Sequence, residues 1–344
     1  MTASSFDPNA AAPADSGIFG LPHDPDAAEV VLVPVPFDAT TSYRQGTADG
    51  PAAILAASHQ VDLYDLQTGR PYQRGIAMLP ADPAVATANE LCRALAAPII
   101  AKGGADPSEP ADTSALAEIE RRMAELNAGL RGTVTALFAA GKLPGVVGGD
   151  HSVPLGAIAA AGARFQDLGI LHVDAHADLR VAYEGFRYSH ASIMDNVLRE
   201  VPAVRRIVQV GIRDFCEQEF AAIEASEGRV ITHFDLAWQR RLAAGETLRG
   251  LLDEAVGALP QDVWVSFDID GLDPALCPHT GTPVPGGLSF ATAALLLERL
   301  VASGRRIIGF DLNEVAPGPE GDEWDANVGA RVLYKLCGFA LLTR

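Results

Sequence analysis

Cysteine is scarce in this 344-residue chain: there are four, Cys92, Cys216, Cys277 and Cys337, far apart and with no C-x-x-C pair. That excludes a disulfide scaffold and a zinc ribbon, and predicts reduced thiols in a cytoplasmic protein. Basic residues are also short, 26 Lys plus Arg against 44 Asp plus Glu, for a net charge of −18. A chain so acidic lacks the basic stripe that neutralises phosphates, so nucleic acid is not an expected partner, nor is an anionic membrane surface. The same charge raises the local concentration of a small cation. No continuous apolar run approaches the roughly 18 residues of a membrane span. The amino terminus has neither the basic nor the apolar segment of a secretory signal.

What the chain does have is a core: 48% of its residues are hydrophobic and 20% charged. Residues 1–28, rich in Ala, Pro, Asp and Ser, predict a mobile arm, and 29–344 a single domain. Short β-branched runs recur along that domain: EVVLVPVPF from Glu29, LPGVVGGD, LGILHVDAH, RRIVQVGIR, RVITHFD, DVWVSFDID and RRIIGFDLNE. Most are continuously apolar, as strands covered on both faces are. Between them lie helical patterns. Leu116, Ile119, Met123, Leu126, Leu130, Val134 and Leu137 mark one face of a helix with Ser114 as its N-cap and Gly141 as its stop. A second runs through ATAALLLERLVAS between Ser289 and Gly304. Residues 101–112 read as a polar loop. Strands alternating with helices predict an α/β fold with a parallel sheet.

Three of the apolar runs end in a burst of Asp and His: Gly148-Gly149-Asp150-His151-Ser152, Asp174-Ala175-His176-Ala177-Asp178, and Ser266-Phe267-Asp268-Ile269-Asp270. Ligand sites lie at the carboxyl ends of parallel strands. Residues two apart in an extended chain face one side, so Asp174, His176 and Asp178 converge if the strand continues, and so do Asp268 and Asp270. Helix capping would account for one such Asp, but not for His two residues from Asp or for Asp doublets inside a Val/Ile/Phe-rich strand. Carboxylates gathered on converging strand ends are too costly to bury without cations. Asp and His donors without thiolate suit Mn²⁺, Ni²⁺ or a similar ion better than structural zinc, and six ligands suit two ions bridged by shared carboxylates.

GGDHS, DAHAD and SFDIDGLDP, in that order, resemble the signature motifs of the ureohydrolase family of arginases and agmatinases, from about Val31 to the carboxyl terminus. The resemblance implies a three-layer α/β/α fold with a central, mainly parallel sheet and two Mn²⁺ per chain. It also implies hydrolysis of a guanidinium group to urea and an amine. Carried over by position, His151, Asp174, Asp178 and Asp268 hold one ion and His176, Asp174, Asp268 and Asp270 the other. His190, in RYSHASIM, resembles the histidine that passes a proton to the leaving amine; Glu314, in GFDLNEVAPG, resembles the glutamate that pairs with the guanidinium. A homo-oligomer, trimer or hexamer, is implied as well.

The expected substrate is a small cationic guanidino compound. DLRVAYEGFRYSHAS and residues 40–58 resemble the agmatinase branch more than the arginases. Guanidine, a guanidino acid and formiminoglutamate are the alternatives within the family. A single-zinc deacetylase of related fold is the alternative outside it. Of the other histidines, His172 shares strand parity with Asp174 but lies deeper, as a core or supporting residue, and His279 falls in a loop near Asp270.

Overall fold

The computed structural model describes residues 6–13 and 15–344. The strands are β1 (Val30–Val35), β2 (Ile76–Met78), β3 (Leu143–Gly148), β4 (Leu168–Val173), β5 (Val204–Ile212), β6 (Val230–Phe234), β7 (Asp262–Asp268) and β8 (Arg306–Asn313). The helices are α1 (Gly50–Ser58), α2 (Pro83–Ala101), α3 (Pro110–Ala139), α4 (Leu155–Arg164), α5 (Ile193–Glu200), α6 (Glu217–Ala225), α7 (Asp235–Ala243), α8 (Leu248–Gly257), α9 (Phe290–Ala302) and α10 (Trp324–Leu342).

Among the described residues the strands form one eight-stranded sheet, in the order β2-β1-β3-β8-β7-β4-β5-β6. All its pairings are parallel. β1, β3 and β4 are buried along their whole length, which is why they carry Val, Ile and Leu without alternation. One core lies between the sheet and α1, α7, α8, α9 and α10; it holds Ile54, Trp238, Leu251, Leu296 and Leu333. The other lies between the opposite face and α2 to α6, around Cys92, Met123, Ile158, Val197 and Ile223. This is the expected three-layer α/β/α arrangement.

Three expectations change in detail. The helix expected from Ser114 starts at Pro110, because Lys102 and the backbone N–H of Asp106 hold Asp112 and draw the first turn back into the polar loop. Its face is as expected, with Ile119, Met123, Leu130 and Val134 buried, and Gly141, at φ 71°, ends it. The mobile arm does not describe Ile18–Leu21: Ile18, Phe19 and Leu21 are buried, and Phe19 packs on the Tyr334 ring at 4.8 Å. The apolar segment is too short there for periodicity to show it. The first five residues and Ala14 of that arm lie outside the described residues. Helix α2 and the edge strand β2 have no counterpart in the sequence reading. Among the described residues α2 is the one helix long and apolar enough to cross a membrane. It carries Glu90 and Arg93, and it lays Cys92, Ala96 and Ile99 into the core that α3 shares.

Candidate metal centre

The four central strands β3, β8, β7 and β4 are neighbours in the sheet, and each delivers acidic or imidazole side chains just past its carboxyl end. Here the strand order reverses: β3 meets β8 and β7 meets β4, which opens a crevice above the strand ends. After β3 the chain must turn at once against the loop that follows β1. A Cβ on Gly149 would stand 2.0 Å from the carbonyl oxygen of Phe37, and one on Gly148 2.0 Å from Asn313 Oδ1. Only glycine allows that approach. Asp150 and His151 are thereby set down over the middle of the sheet.

The convergence of the DAHAD residues has a different cause from the one expected. β4 stops at Val173, and Asp174 to Asp178 form a loop in which Asp178 takes a left-handed φ of 55°. β7 likewise stops at Asp268, and Asp270 sits in a 3-10 turn, Ile269–Gly271, capped by Asp268 Oδ1 at 2.8 Å. Turn geometry, not strand parity, brings these carboxylates together.

His151 Nδ1 lies 3.0 Å from Asp174 Oδ2, 3.4 Å from Asp178 Oδ2 and 3.2 Å from Asp268 Oδ2. His176 Nδ1 lies 3.4 Å from Asp174 Oδ1 and 3.1 Å from Asp270 Oδ2. Asp174 therefore presents one oxygen to each group. Apart from His176, which is partly open to the cavity, all these side chains are buried. Burial, and then the neighbouring carboxylates, pushes Asp178 and Asp268 well above the usual carboxylate range. Asp174 is held well below it, because its burial is outweighed by His172, His151 and His176 around it. Each buried ion costs several kcal/mol unless it is compensated. Two groups of imidazole nitrogen and carboxylate oxygen that share one Asp fit a pair of divalent cations. A single-zinc site does not require the second group.

Further residues support these. His151 Nε2 lies 2.8 Å from Ser266 Oγ, which donates to Asp311 Oδ1 at 2.8 Å. Asn313 Nδ2 donates to the same oxygen at 2.6 Å. This is the outer chain of partners that fixes a ligating imidazole. The sequence reading missed Ser266 and Asp311. Ser266 shares its strand face with Asp268 and pairs in register with Asp311, so a parity reading of β7 and β8 together would have found both. His172, expected as a core or supporting residue, is fully buried and supports the site: Nε2 is 2.7 Å from Asp174 Oδ2, while Gln209 Nε2 donates to Nδ1 at 3.0 Å. His279 lies apart from the site, paired with Asp325 at 2.9 Å.

Glu314 follows β8 and is also left-handed, at φ 63°. Such a backbone costs roughly 1–3 kcal/mol and persists only where the surroundings hold it. Its Oε1 accepts from the His151 N–H at 2.9 Å, its N–H donates to Gly149 at 2.8 Å, and Thr280 Oγ1 donates to its carbonyl at 2.8 Å. Its Oε2 is buried and has no hydrogen-bond partner. Burial, with Asp268 and Asp150 nearby, pushes Glu314 well above the usual range. His190 shares a cavity of about 240 Å³ with His176 and Asp178. Burial and the adjacent His176 pull its imidazole down to about 3, and its Nδ1 has no partner.

A profile of the Arginase family matches residues 28–338. An N(1)-aminopropylagmatine ureohydrolase of Synechocystis sp. is 29% identical over 317 residues, 91% of this chain and 89% of the relative. A guanidinobutyrase of Pseudomonas aeruginosa is 30% identical over 92% of this chain and 87% of its own length. Among solved structures, the agmatine ureohydrolase of Thermoplasma volcanium superposes with a TM-score of 0.69 at 25% identity, covering 92% of this chain and 91% of that one. The proclavaminate amidino hydrolase of Streptomyces clavuligerus shares the fold, with a TM-score of 0.73 at 24% identity over 97% and 100% of the two chains.

Proposed function

The chain belongs to the arginase family, and from that membership we propose that it is a binuclear-metal ureohydrolase, cleaving the guanidinium group of a small substrate to urea and an amine. The guanidino group is what the names of its relatives have in common. His151, Asp174, Asp178 and Asp268 would hold one cation and His176, Asp174, Asp268 and Asp270 the other, with Asp174 and Asp268 between them. Divalent cations supply Lewis acidity there and make hydroxide accessible at neutral pH.

The observation that carries the reading is the buried, unpartnered Oε2 of Glu314 beside this centre. A guanidinium is planar and delocalised, and a carboxylate oriented toward it accepts charge-assisted hydrogen bonds. The bonds from His151, Thr280 and Gly149 fix the angle at which Glu314 presents that oxygen, which is orientation supplied before the substrate arrives. Burial makes the charge of Glu314 costly, and a bound guanidinium offsets that cost. His190, with a free ring nitrogen facing the cavity it shares with His176 and Asp178, is the group placed to pass a proton to the departing amine. Deep placement of the guanidinium leaves the substrate tail to run out through the cavity that His190 lines.

The donor set suits manganese or nickel. With this reading go residues 29–344 as one catalytic domain, a homo-oligomeric trimer or hexamer, and a cytoplasmic location, which four free cysteines support. Glu314→Gln tests the reading because it keeps the shape and removes the charge. We expect full metal content and a loss in kcat/KM for a guanidino substrate of roughly 1.5–3 kcal/mol. Undiminished kcat/KM with full metal would make Glu314 a structural residue and overturn the guanidinium assignment.

A further inference from the structure

We infer that the substrate tail ends in an anion, and that Arg180 binds it. This rests on the guanidino-hydrolase reading and narrows it from the agmatine-like compounds the sequence favoured to guanidino acids. In the proposed reaction the tail is attached to the nitrogen that leaves, and His190 is the group that protonates that nitrogen. What surrounds His190 therefore surrounds the start of the tail. Tyr183 stands edge-on to the His190 ring with centroids 6.1 Å apart, and the Arg180 guanidinium lies over the Tyr183 ring at 4.8 Å. The Arg180 backbone N–H donates to the Ala191 carbonyl at 3.1 Å, which ties the two segments together. All three side chains line one cavity with His176 and Asp178.

Arg180 is paired with one carboxylate, Glu219, through Nε alone, at 3.6 Å from Oε2 and beyond hydrogen-bond range. Glu219 is already engaged by the backbone N–H groups of Leu179 at 3.0 Å and Cys216 at 2.8 Å. The Arg180 side chain remains 34% exposed, and among the described residues neither terminal nitrogen has a hydrogen bond to the protein. Lying over an aromatic ring, its guanidinium offers a fork for a carboxylate. A chain of net charge −18 with an acidic centre needs no help in drawing in a guanidinium. A cation beside the tail opposes an ammonium-ended tail and favours a carboxylate-ended one. The cavity has a competing carboxylate, Asp214, whose backbone bridges to His176, so the two candidates for the tail are Arg180 and Asp214.

The test compares agmatine with 4-guanidinobutyrate, tails of similar length and opposite charge, by urea release from the Mn²⁺-loaded enzyme. We expect 4-guanidinobutyrate to have the higher kcat/KM. Arg180→Ala should raise its KM by about 10- to 100-fold, the effect of losing one charged hydrogen-bond partner, and Arg180→Lys should recover part of it. Arg180→Glu should move the ratio of the two kcat/KM values toward agmatine. A structural role would lower both and leave that ratio alone, so an unchanged ratio overturns the inference, as does agmatine as the better wild-type substrate. Asp214→Asn gives the converse: a fall confined to agmatine in a wild type that prefers agmatine would assign the tail to Asp214. No urea from either compound, or from free guanidine, with metal content confirmed, would overturn the guanidino reading itself.

Discussion

The two ends of the sheet treat charge in opposite ways. At the amino ends of the strands basic side chains gather, and most of them have partners. Lys142 donates to the carbonyls of Asp26 at 2.5 Å and Ala28 at 2.8 Å. Arg305 donates to the Leu259 carbonyl at 2.8 Å, and Arg306 pairs with Asp262 at 2.6 Å. At the carboxyl ends, Asp174, Asp178, Asp268 and Glu314 are buried; the three Asp face an imidazole and Glu314 the His151 backbone N–H. Two of them, Asp178 and Glu314, carry left-handed backbone as well. One end uses charge to tie loops and termini to the sheet. The other accepts crowding that only a bound cation relieves, as expected where function is built at the expense of stability.

The sharpest way to break this contrast is Asp268→Ala. In the proposed ligand set its carboxylate serves both cations, so we expect metal analysis to show both depleted and urea release to be abolished. Retention of both ions with near-normal turnover would show that the carboxyl-end acids are structural after all. Next in size is His190→Ala. It is not a ligand in this reading, so the metals should stay while turnover falls by about 10²–10⁴-fold, the range of a general acid–base group. A variant that loses metal in step with activity would move His190 from proton transfer to ligation. The smallest effect belongs to the other end: Arg306→Ala removes an exposed pair and should cost about 0.2–1 kcal/mol in denaturant unfolding, with kcat/KM unchanged. A large loss of activity there would erase the distinction between the two ends.

Much of this was legible along the chain. The apolar runs marked seven of the strands, and Ser289 and Gly304 bracket α9 as a cap and a stop, with Ser289 Oγ accepting from Thr292 at 3.0 Å. β2 was missed because it is three residues long, and α2 because exposed alanines leave little periodicity to read. Ile18–Leu21 read as arm because its burial depends on Ser58 and Tyr334, far along the chain; Ser58 Oγ accepts from the Phe19 N–H at 2.8 Å.

By itself the sequence determined the residue types of the centre and the strand ends that carry them, because Asp and His at the close of buried apolar runs have few other physical reasons to be there. Which oxygen faces which nitrogen was decided by tertiary structure. The left-handed turn at Asp178, the 3-10 turn at Asp270 and the meeting of β3 with β8 bring together segments up to more than a hundred residues apart. The same holds for Arg180. Two positions past Asp178 it reads as one more charged loop residue. Only its place over Tyr183, beside His190 and lining one cavity with it, sets its charge on the proposed path of the substrate tail.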